Sequence, residues 1–563
     1  MYDQLRWDYL SCAGHPYLQT PHFDRVASRG VRFSRCYVQS PICGSSRMST
    51  YTGRYPSSHG AFWNGVPLKV GEQTMGDHLR RAGMDCVLIG KTHMRADVEG
   101  MDRLGIAPDS IIGVRASECG FDLGLRDDGM VCQGPDGGYD DNDSAYNLFL
   151  KSKGYSGDNP WHDYANSGVD ENLNVKSGFE LVNTSMPANV REEDSETAWL
   201  TDCMIEWLED RKQNSAGSDA KPWCVHLSYI KPHWPFIVPK PYHDMYSKEQ
   251  ILPVAKSEQE LQNQHPVLAA FRKGIVAQTS TGDEARDRVV PAYMGLVKQC
   301  DDHLGRLMDY LRKSGLMENT TVVLTSDHGD YLGDHYLGEK GLFHDCSVKV
   351  PLIIMDPDPS ADSSRGSVCD ELVEAIDLLP TFLDTHTDES TSANLRHILE
   401  GRSLLPFIRT AIKETTDKPL PPRDYAISEY DFSMTPVRQA LGLTVDESRW
   451  YVVIDKRWKF ITFTADQLKP ILLDMKNDPE EYNDLAGSDS AEHLQVMRLM
   501  ETRLQQWQQR NTQRATMPDE KIHASVGKSV RRGVLLGYYE AGKEQEELFS
   551  KYRGKVDRDY TDA

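Results

Sequence analysis

The chain has 563 residues and a formal net charge of −22, with 39% hydrophobic and 26% charged residues. It is long for one hydrophobic core, so we expect two domains or one large domain with additions. The composition is that of a soluble globular protein, and the acidic balance argues against a nucleic-acid partner, which would require a basic face.

Signals of a membrane span, of export and of disulfides are missing from the sequence. No apolar run approaches the ~20 residues of a transmembrane helix, so we expect no membrane partner. Residues 1–6 lack the basic start and apolar core of a signal peptide, which predicts a cytoplasmic location. An export signal further upstream stays open as an alternative. The eleven cysteines are dispersed without a CxxC pair, which favours reduced thiols.

The first informative stretch is 40–54, SPICGSSRMSTYTGR, which follows a predicted helix near 20–27 and a short strand at 31–33. It places Cys43 among small residues that let backbone N–H groups approach a ligand. A helix beginning here would direct those groups at an anion, and Arg47 adds a planar donor fork suited to oxyanions. Without further support, such a cysteine is usually a buried structural thiol.

A second polar cluster follows a predicted buried strand at 86–89. The strand comes after a helix at 74–83 and ends in Gly90-Lys91-Thr92-His93. Ligands of open α/β sheets lie at the carboxyl ends of strands, so Lys91 and His93 are candidate site residues, with plain surface positions as the alternative. Asn64 precedes a glycine and is, taken alone, typical of a turn.

The middle of the chain has fewer clear elements. Residues 95–195 are rich in Gly, Asp, Asn and Ser, and we predict an insertion that shapes the mouth of the site. A helix is predicted at about 195–212, and a strand at 222–229 runs into the sequence KPHWPF, residues 231–236. Prolines on both sides stiffen this loop and fix the direction of the His233 imidazole. His233 is therefore a natural candidate for a general acid.

The strongest metal signal lies at 326–330. An amphipathic helix at 291–315 precedes a β-branched strand at 320–325, which delivers the sequence SDHGD. Asp327 and His328 therefore stand at a strand end, where carboxylate and imidazole groups can bind a divalent ion. Lys340 follows in the sequence GEKG.

Beyond about residue 420 the pattern changes to short strands at hairpin spacing, followed by a helix at 490–510. We predict a main catalytic domain at 1–420, an antiparallel sheet and helix subdomain at 421–511, and a charged tail at 512–563. We expect the tail to contact a neighbouring subunit of a homo-oligomer.

Taken together, these motifs resemble the type I sulfatases of the alkaline phosphatase superfamily. The spacing CGSSR followed by TGR is similar to the family's maturation signature, Cys-x-(Pro/Ala)-x-Arg, although Ser45 stands at the Pro/Ala position. Four further motifs follow in family order, so the resemblance covers most of 1–485. They are Gly-Lys-x-His, Lys-Pro-His-x-Pro-Phe, Ser-Asp-His-Gly and LLDMKNDPEE (472–481). It implies an α/β fold with a mostly parallel sheet flanked by helices and a smaller C-terminal antiparallel sheet plus helix.

The resemblance also implies a reaction, hydrolysis of a small-molecule sulfate monoester. In the family a formylglycine-generating enzyme oxidises the cysteine to formylglycine, whose hydrated aldehyde attacks sulfur. The matching residues are catalytic Cys43, Arg47, Lys91, His93, His233 and Lys340, substrate-binding Asn64 and Thr92, and metal-binding Asp3, Gln4, Asp327 and His328. Hard oxygen ligands favour Ca²⁺ as the single divalent ion, and the histidine makes Mn²⁺ the alternative.

Two rival interpretations stay open at this point. A phosphonate monoester or phosphodiester hydrolase using the same site is favoured by Asp3, Gln4 and His328, whereas Lys91 and His93 are sulfatase-like. A catalytically inactive binding protein of the same fold is favoured by Ser45 and by a first strand that reaches Asp3 almost at once. In that case Cys43 would remain a thiol.

Overall fold

The computed structural model describes residues 1–129, 144–214, 221–262, 264–278, 281–387, 394–410, 423–511 and 517–525. The strands are β1 (Tyr2–Asp3), β2 (Val31–Tyr37), β3 (Asp85–Gly90), β4 (Asp122–Arg126), β5 (Ser167–Val169), β6 (Val175–Ser177), β7 (Trp223–Pro232), β8 (Val322–Thr325), β9 (Lys349–Met355), β10 (Ser367–Cys369), β11 (Val373–Glu374), β12 (Ala426–Asp431), β13 (Arg449–Ile454), β14 (Trp458–Phe463) and β15 (Ile471–Asp474).

The α-helices of the described ranges vary from single turns to a helix of 32 residues. They are α1 (Pro21–Arg29), α2 (Cys43–Thr52), α3 (Pro56–His59), α4 (Met75–Arg81), α5 (Val98–Leu104), α6 (Ile111–Ser117), α7 (Ala145–Ser152), α8 (Glu196–Asn214), α9 (Pro266–Arg272), α10 (Asp283–Ser314), α11 (Asp345–Val348), α12 (Leu378–His386), α13 (Leu405–Arg409), α14 (Pro436–Ala440), α15 (Ala491–Asn511) and α16 (Asp519–Ser525).

The central sheet consists of two strand sets that meet at β1. In the first set, ordered β1-β7-β3-β4, every pair is parallel. In the second set, ordered β10-β2-β9-β8, the strands β10 and β11 pair with β2 in parallel and β9 is antiparallel to both neighbours. A parallel bridge between Tyr2 and Ser326 joins the two sets. The prediction of a mostly parallel sheet is confirmed.

Helices cover both faces of this sheet, as alternate residues of β3 illustrate. Val87 and Ile89 belong to an apolar core with residues of α1, α8 and α10, whereas Cys86 and Leu88 belong to a second core with residues of α2, α4 and α12. A strand that is apolar on both faces is typical of a parallel sheet buried between two helix layers. The carboxyl ends of its strands are then the natural place for a site.

A smaller antiparallel sheet, ordered β12-β13-β14-β15, lies C-terminal to the central sheet, and α15 packs against it. Buried Met500, Leu504 and Trp507 of α15 share an apolar cluster with Val453 and Phe460 of the sheet. The predicted boundary at 420/421 lies outside the described residues, as does most of the predicted tail. The boundaries and the role of the tail therefore stay predictions.

Residues 95–195 hold more regular structure than the sequence suggests. Helices α5, α6 and α7, strand β4 and the β5–β6 hairpin all lie there, while the glycine-rich stretch 134–143 falls outside the described residues. These elements are three to eight residues long, too short to show clear periodicity.

The expectations on thiols and membrane spans can be compared with the described ranges. All ten cysteines in these ranges are free thiols, as predicted. None of the helices described is both long enough and apolar enough to cross a membrane.

Candidate active site

Cys43 is the first residue of α2, and its side chain is buried beside the ends of β1 and β8. The Cys43 Sγ lies 3.0 Å from His328 Nε2 and 3.8 Å from Asp3 Oδ1. Gly44 donates its backbone N–H to Asn64 Oδ1 at 2.7 Å, and a Cβ on Gly44 would come within 2.8 Å of that oxygen. Asn64, predicted to bind substrate, therefore fixes the start of α2 in this structure.

Arg47 lies one turn further along α2 and joins the two acidic strand ends. Its Nη2 lies 3.0 Å from Asp3 Oδ2 and its Nε lies 2.8 Å from Asp327 Oδ2, with all three side chains fully buried. Its Nη1 donates to the Lys91 carbonyl at 2.9 Å and to Ser228 Oγ at 2.8 Å. The guanidinium thus holds the Oδ2 atom of each carboxylate. Asp3 Oδ1 is left towards Cys43 and His328, and Asp327 Oδ1 accepts the backbone N–H groups of Gln4 and His328 at 3.0 Å each.

Four buried donors form a cluster that fits a divalent metal ion. One ligand atom from each of Asp3, Cys43, Asp327 and His328 lies within 4.8 Å of every other. The His328 Nδ1 lies 2.8 Å from the Gly329 carbonyl, which can only accept a hydrogen bond. The lone pair of neutral His328 therefore resides on Nε2, the atom that faces the cluster, as metal ligation requires.

Glycines allow the strand ends to come this close together. Gly90 precedes Lys91 with a φ of +104°, and a Cβ on it would lie 2.1 Å from the Ser228 carbonyl oxygen. A Cβ on Gly329 would lie 1.9 Å from the Cys346 carbonyl oxygen. Only glycine fits at either position, which gives a physical reason for the glycines in Gly-Lys-x-His and Ser-Asp-His-Gly.

Two lysines add positive charge near Cys43. The Lys91 Nζ lies 2.7 Å from Asp3 Oδ2, and the Lys340 Nζ lies 2.8 Å from Gln4 Oε1 and 3.1 Å from His233 Nε2. Burial opposes their ionisation, but the anionic groups nearby outweigh it and raise the pKa of both lysines. Both side chains are therefore cationic at neutral pH and suit an anionic substrate.

The same charges act on Cys43. Burial alone would raise the pKa of the Cys43 thiol, yet Lys340, His328 and Lys91 together hold it well below its ordinary value. These charges therefore favour the thiolate form of Cys43 in the unconverted chain.

Gln4, predicted as a metal ligand, lies at the rim of the cluster. Its backbone N–H donates to Asp327 Oδ1 at 3.0 Å, and its φ of +66° lies in the left-handed region. The Gln4 side chain donates to Asp330 and accepts from Lys340. Metal binding by Gln4 stays a prediction.

His233 faces the cluster from the loop after β7. Its Nδ1 lies 2.7 Å from the Trp234 carbonyl and must donate, so the Nε2 lone pair faces the Lys340 ammonium. Burial and the neighbouring Lys340 lower the pKa of His233 to about 4. The imidazole is therefore neutral at pH 7, and Lys340 carries the proton of the pair.

Asp128 binds the backbone of the two residues that follow Lys91. The backbone N–H groups of Thr92 and His93 both donate to Asp128 Oδ1 at 3.1 Å. The Thr92 hydroxyl lies 3.4 Å from Glu118 Oε2. The His93 Nδ1 is buried and has no hydrogen-bond partner within the described ranges, so it is free to contact a ligand.

Several residues that support the site were missed by the sequence analysis. Asp128 supports the Lys91 turn, Ser228 binds Arg47, Asp330 binds Gln4, and Lys231 braces the His233 loop. Three of the four stand within three residues of a recognised motif residue, and that proximity was the only available signal. Asp128 belongs to a different strand end, and nothing in its sequence context singles it out.

Two protein-family models match most of the chain. The model of the sulfatase family matches residues 1–106 and 137–387. A second model, described as N-sulphoglucosamine sulphohydrolase, C-terminal, matches residues 333–510. Together they cover the small antiparallel sheet and every strand of the central sheet except β4.

Similar curated proteins include two from bacteria. The multifunctional alkaline phosphatase superfamily protein PehA of Trinickia caryophylli is 30% identical over 86% of this chain and 90% of its own length. An arylsulfatase of Clostridium perfringens is 28% identical over 87% of this chain and 89% of its own length.

Solved structures give the same relationship. The phosphonate monoester hydrolase from Silicibacter pomeroyi matches with a TM-score of 0.75 and 26% identity, covering 92% of this chain and 95% of that one. The corresponding enzyme of Agrobacterium radiobacter matches with a TM-score of 0.73 and 26% identity, over 91% and 94% of the two chains. With the family model matching more than half of its residues, this chain belongs to the sulfatase family, hydrolases of sulfate esters within the alkaline phosphatase superfamily.

Proposed function

We propose that this sulfatase hydrolyses a small-molecule sulfate monoester to an alcohol and inorganic sulfate at the Cys43 position. One observation carries the proposal: Cys43 Sγ lies beside two carboxylates and an imidazole, and the cations of Arg47, Lys91 and Lys340 surround this group. An anionic ester with its sulfur next to Cys43 would find an electrophile-activating metal site and cationic side chains together.

Formylglycine fits this position, because sulfatases generally depend on it and because the acceptor groups around Cys43 suit a hydroxyl donor. When present, it supplies a hydrated aldehyde oxygen as nucleophile in place of sulfur. A formylglycine-generating enzyme is therefore the proposed maturation partner.

A single divalent ion also fits, held by Asp3, Asp327 and His328, with Gln4 as the fourth predicted ligand. As a Lewis acid, it lowers the free energy of placing negative charge at position 43. Ca²⁺ is proposed as the ion because most of these donors are hard oxygens, and Mn²⁺ is the alternative because of the imidazole.

Departure of the alcohol is assigned to His233 and Lys340. The leaving alkoxide needs a proton, and the ammonium of Lys340 lies 3.1 Å from His233 Nε2. A proton delivered from this pair would neutralise the leaving oxygen, while Arg47 and Lys91 stabilise the oxyanions that stay.

The test combines maturation with activity. The chain is expressed with a formylglycine-generating enzyme, and the tryptic peptide covering residues 36–47 is analysed by mass spectrometry. We expect replacement of the Cys43 thiol by an aldehyde and turnover of an aryl sulfate. A Cys43→Ala variant is the matched control. A thiol throughout, or turnover equal to that of the control, would overturn the proposal.

A second candidate activity is hydrolysis of phosphonate monoesters or phosphodiesters at the same site. The two solved phosphonate monoester hydrolases described above support it, since their similarity covers more than nine-tenths of this chain. Sulfate and phosphonate transfers pass through similar trigonal-bipyramidal oxyanions that differ mainly in charge. Comparing kcat/KM for an aryl sulfate and an aryl phosphonate monoester, on one preparation, ranks the two activities.

A further inference from the structure

We propose that the unconverted chain, in which Cys43 keeps its thiol, is a four-ligand site for zinc or a similarly thiophilic divalent ion. The ligands are Cys43 Sγ, His328 Nε2 and the Oδ1 atoms of Asp3 and Asp327. This inference rests on the proposed function only in taking position 43 as the one that maturation changes. Maturation then does more than create a nucleophile, because it changes which metal ion the site prefers.

Four of the six donor separations are close to those of a tetrahedral zinc site. The Cys43 Sγ lies 3.0 Å from His328 Nε2 and 3.8 Å from Asp3 Oδ1. The His328 Nε2 lies 3.8 Å from Asp3 Oδ1 and 3.8 Å from Asp327 Oδ1. Zinc bond lengths of about 2.0 Å to nitrogen or oxygen and about 2.3 Å to sulfur place tetrahedral donors roughly 3.3–3.6 Å apart. Changes of about half an ångström or less bring these four separations to the zinc values. The other two, from Asp327 to Asp3 and to Cys43, are within 4.8 Å.

The surroundings hold each donor in the orientation that a metal requires. Arg47 binds the Oδ2 atoms of Asp3 and Asp327, and Lys91 also binds Asp3 Oδ2, which leaves Asp3 Oδ1 towards Cys43 and His328. Asp327 Oδ1 is fixed by the backbone N–H groups of Gln4 and His328 and lies 3.8 Å from His328 Nε2. The Gly329 carbonyl holds His328 Nδ1 as a donor, which leaves Nε2 for the ion. Such outer contacts are what fix the ligands of metal sites.

The chemistry of the fourth ligand decides the ion. A sulfur, a nitrogen and two oxygens form a set that zinc accepts with four-coordinate geometry. Ca²⁺ takes six to eight oxygen ligands and gains nothing from sulfur. Binding forms a bond between the metal and the Cys43 thiolate, and any proton still held by the sulfur passes to solvent, with no change of oxidation state. All four side chains are buried, so the bound ion would be shielded from water.

Cobalt(II) is the probe, because a Co–thiolate bond gives a charge-transfer band in the near ultraviolet that oxygen and nitrogen ligands do not give. The full-length chain is produced without a formylglycine-generating enzyme and stripped of metal. Titration with Co²⁺ is expected to produce this band together with intense tetrahedral visible bands. Zn²⁺ is expected to abolish the cobalt spectrum, and Ca²⁺ in large excess is expected to leave it unchanged.

Cys43→Ser is the matched variant, since it replaces only sulfur by oxygen. We expect it to lose the charge-transfer band and at least tenfold in zinc affinity while calcium affinity stays within threefold. If this variant does not fold, X-ray absorption of zinc bound to the unchanged chain gives the answer through a zinc–sulfur distance of about 2.3 Å. Cobalt or zinc spectra without a sulfur ligand would overturn the inference.

The result is independent of the sulfatase proposal. Matured protein, with the thiol gone, is expected to lack the charge-transfer band and to hydrolyse aryl sulfates. A failure of sulfate hydrolysis in matured protein would leave the zinc spectra of the unconverted chain unaffected, and the reverse also holds.

Discussion

Lys340 and His233 form a pair in which the ammonium Nζ lies 3.1 Å from the imidazole Nε2. The other ring nitrogen of His233 is bound to the Trp234 carbonyl, so Nε2 can only accept. Burial and Lys340 lower the pKa of His233 to about 4, which keeps the ring neutral at pH 7. The pair thus holds one proton, on the lysine, and we propose that this proton is delivered to the leaving group.

His233→Gln tests whether this proton serves the leaving group. We expect kcat/KM to fall by about 10²–10⁴ for an alkyl sulfate, because general-acid catalysis contributes on that order. For 4-nitrophenyl sulfate, whose leaving group needs no proton, we expect a much smaller loss. The measurement is kcat/KM for both substrates on fully matured protein.

His243→Gln is the control for that experiment, because His243 lies further along the same segment and contacts Asp244 instead of the site. It is expected to leave both substrates unaffected. Equal losses for the two substrates in His233→Gln would show that His233 binds or orients the ester and that the Lys340–His233 pair does not protonate the leaving oxygen.

Lys231 is predicted to position His233 without touching substrate. Its Nζ donates to the His233 carbonyl at 3.3 Å and to the Pro235 carbonyl at 3.0 Å, and the residue is 8% exposed. Lys231→Met keeps the length of the side chain but leaves two carbonyls without this donor, which costs about 1–3 kcal/mol. We expect the His233 loop to shift and kcat for the alkyl sulfate to fall about tenfold.

Lys231→Met is again tested by comparing the alkyl sulfate with 4-nitrophenyl sulfate. A positioning role predicts a larger loss for the alkyl sulfate, as in His233→Gln, but a smaller loss overall. Lys240→Met, at an exposed position of the same loop, is the matched control and should behave as wild type. A stability loss with unchanged kcat for both substrates would contradict the positioning role.

The sequence allowed the fold class and the strand-end positions of Lys91, Asp327 and His328 to be predicted. These inferences succeed because a buried apolar strand that ends in charged residues has one typical place in an α/β sheet. The antiparallel direction of β9 was not predictable, since strand direction depends on connections and not on the apolar pattern of 349–355. Helix α10 begins at Asp283, eight residues before the predicted start, because Pro291 was taken as a boundary.

Other features of the site depend on long-range contacts. Asp128 supports Thr92 and His93 from a separate strand end, 35 or more residues away in sequence. Arg47 binds both Asp3 and Asp327, which lie 44 and 280 positions away from it in the sequence. Periodicity and motif spacing carry no information about such pairs, which only the folded chain brings together.

Arg47→Lys is predicted to destabilise the whole protein. Arg47 is fully buried and binds two carboxylates, and a lysine ammonium cannot span both. A buried carboxylate left without its partner costs about 3 kcal/mol or more, which we expect as a loss in the free energy of unfolding. Urea denaturation of the metal-free, unconverted chain measures it.

The control for Arg47→Lys is Arg29→Lys, at an exposed position at the end of α1, which should change stability by less than about 0.5 kcal/mol. Unfolding free energies equal to wild type for both variants would mean that one cation suffices for Asp3 and Asp327.

The stability of the protein should fall between pH 4.5 and pH 7 through Glu429 of β12. Burial raises the pKa of this carboxyl to about 7, even though the Ser57 backbone N–H donates to it at 2.8 Å. Below pH 4.5 the carboxyl is protonated in both folded and unfolded chains. As the pH rises towards 7, the unfolded chain loses this proton first, so unfolding becomes more favourable. Above pH 7 both states are ionised and the loss is complete.

Glu429→Gln removes this dependence while keeping an oxygen to accept from Ser57. Since one pKa unit corresponds to about 1.4 kcal/mol, we expect the variant to gain about 2 kcal/mol over wild type between pH 5 and pH 8. Urea unfolding at the two pH values measures the gain. Glu206→Gln, on an exposed position of α8, should show none. A Glu429→Gln difference from wild type that is the same at both pH values would mean that the carboxyl ionises in the folded protein as readily as in water.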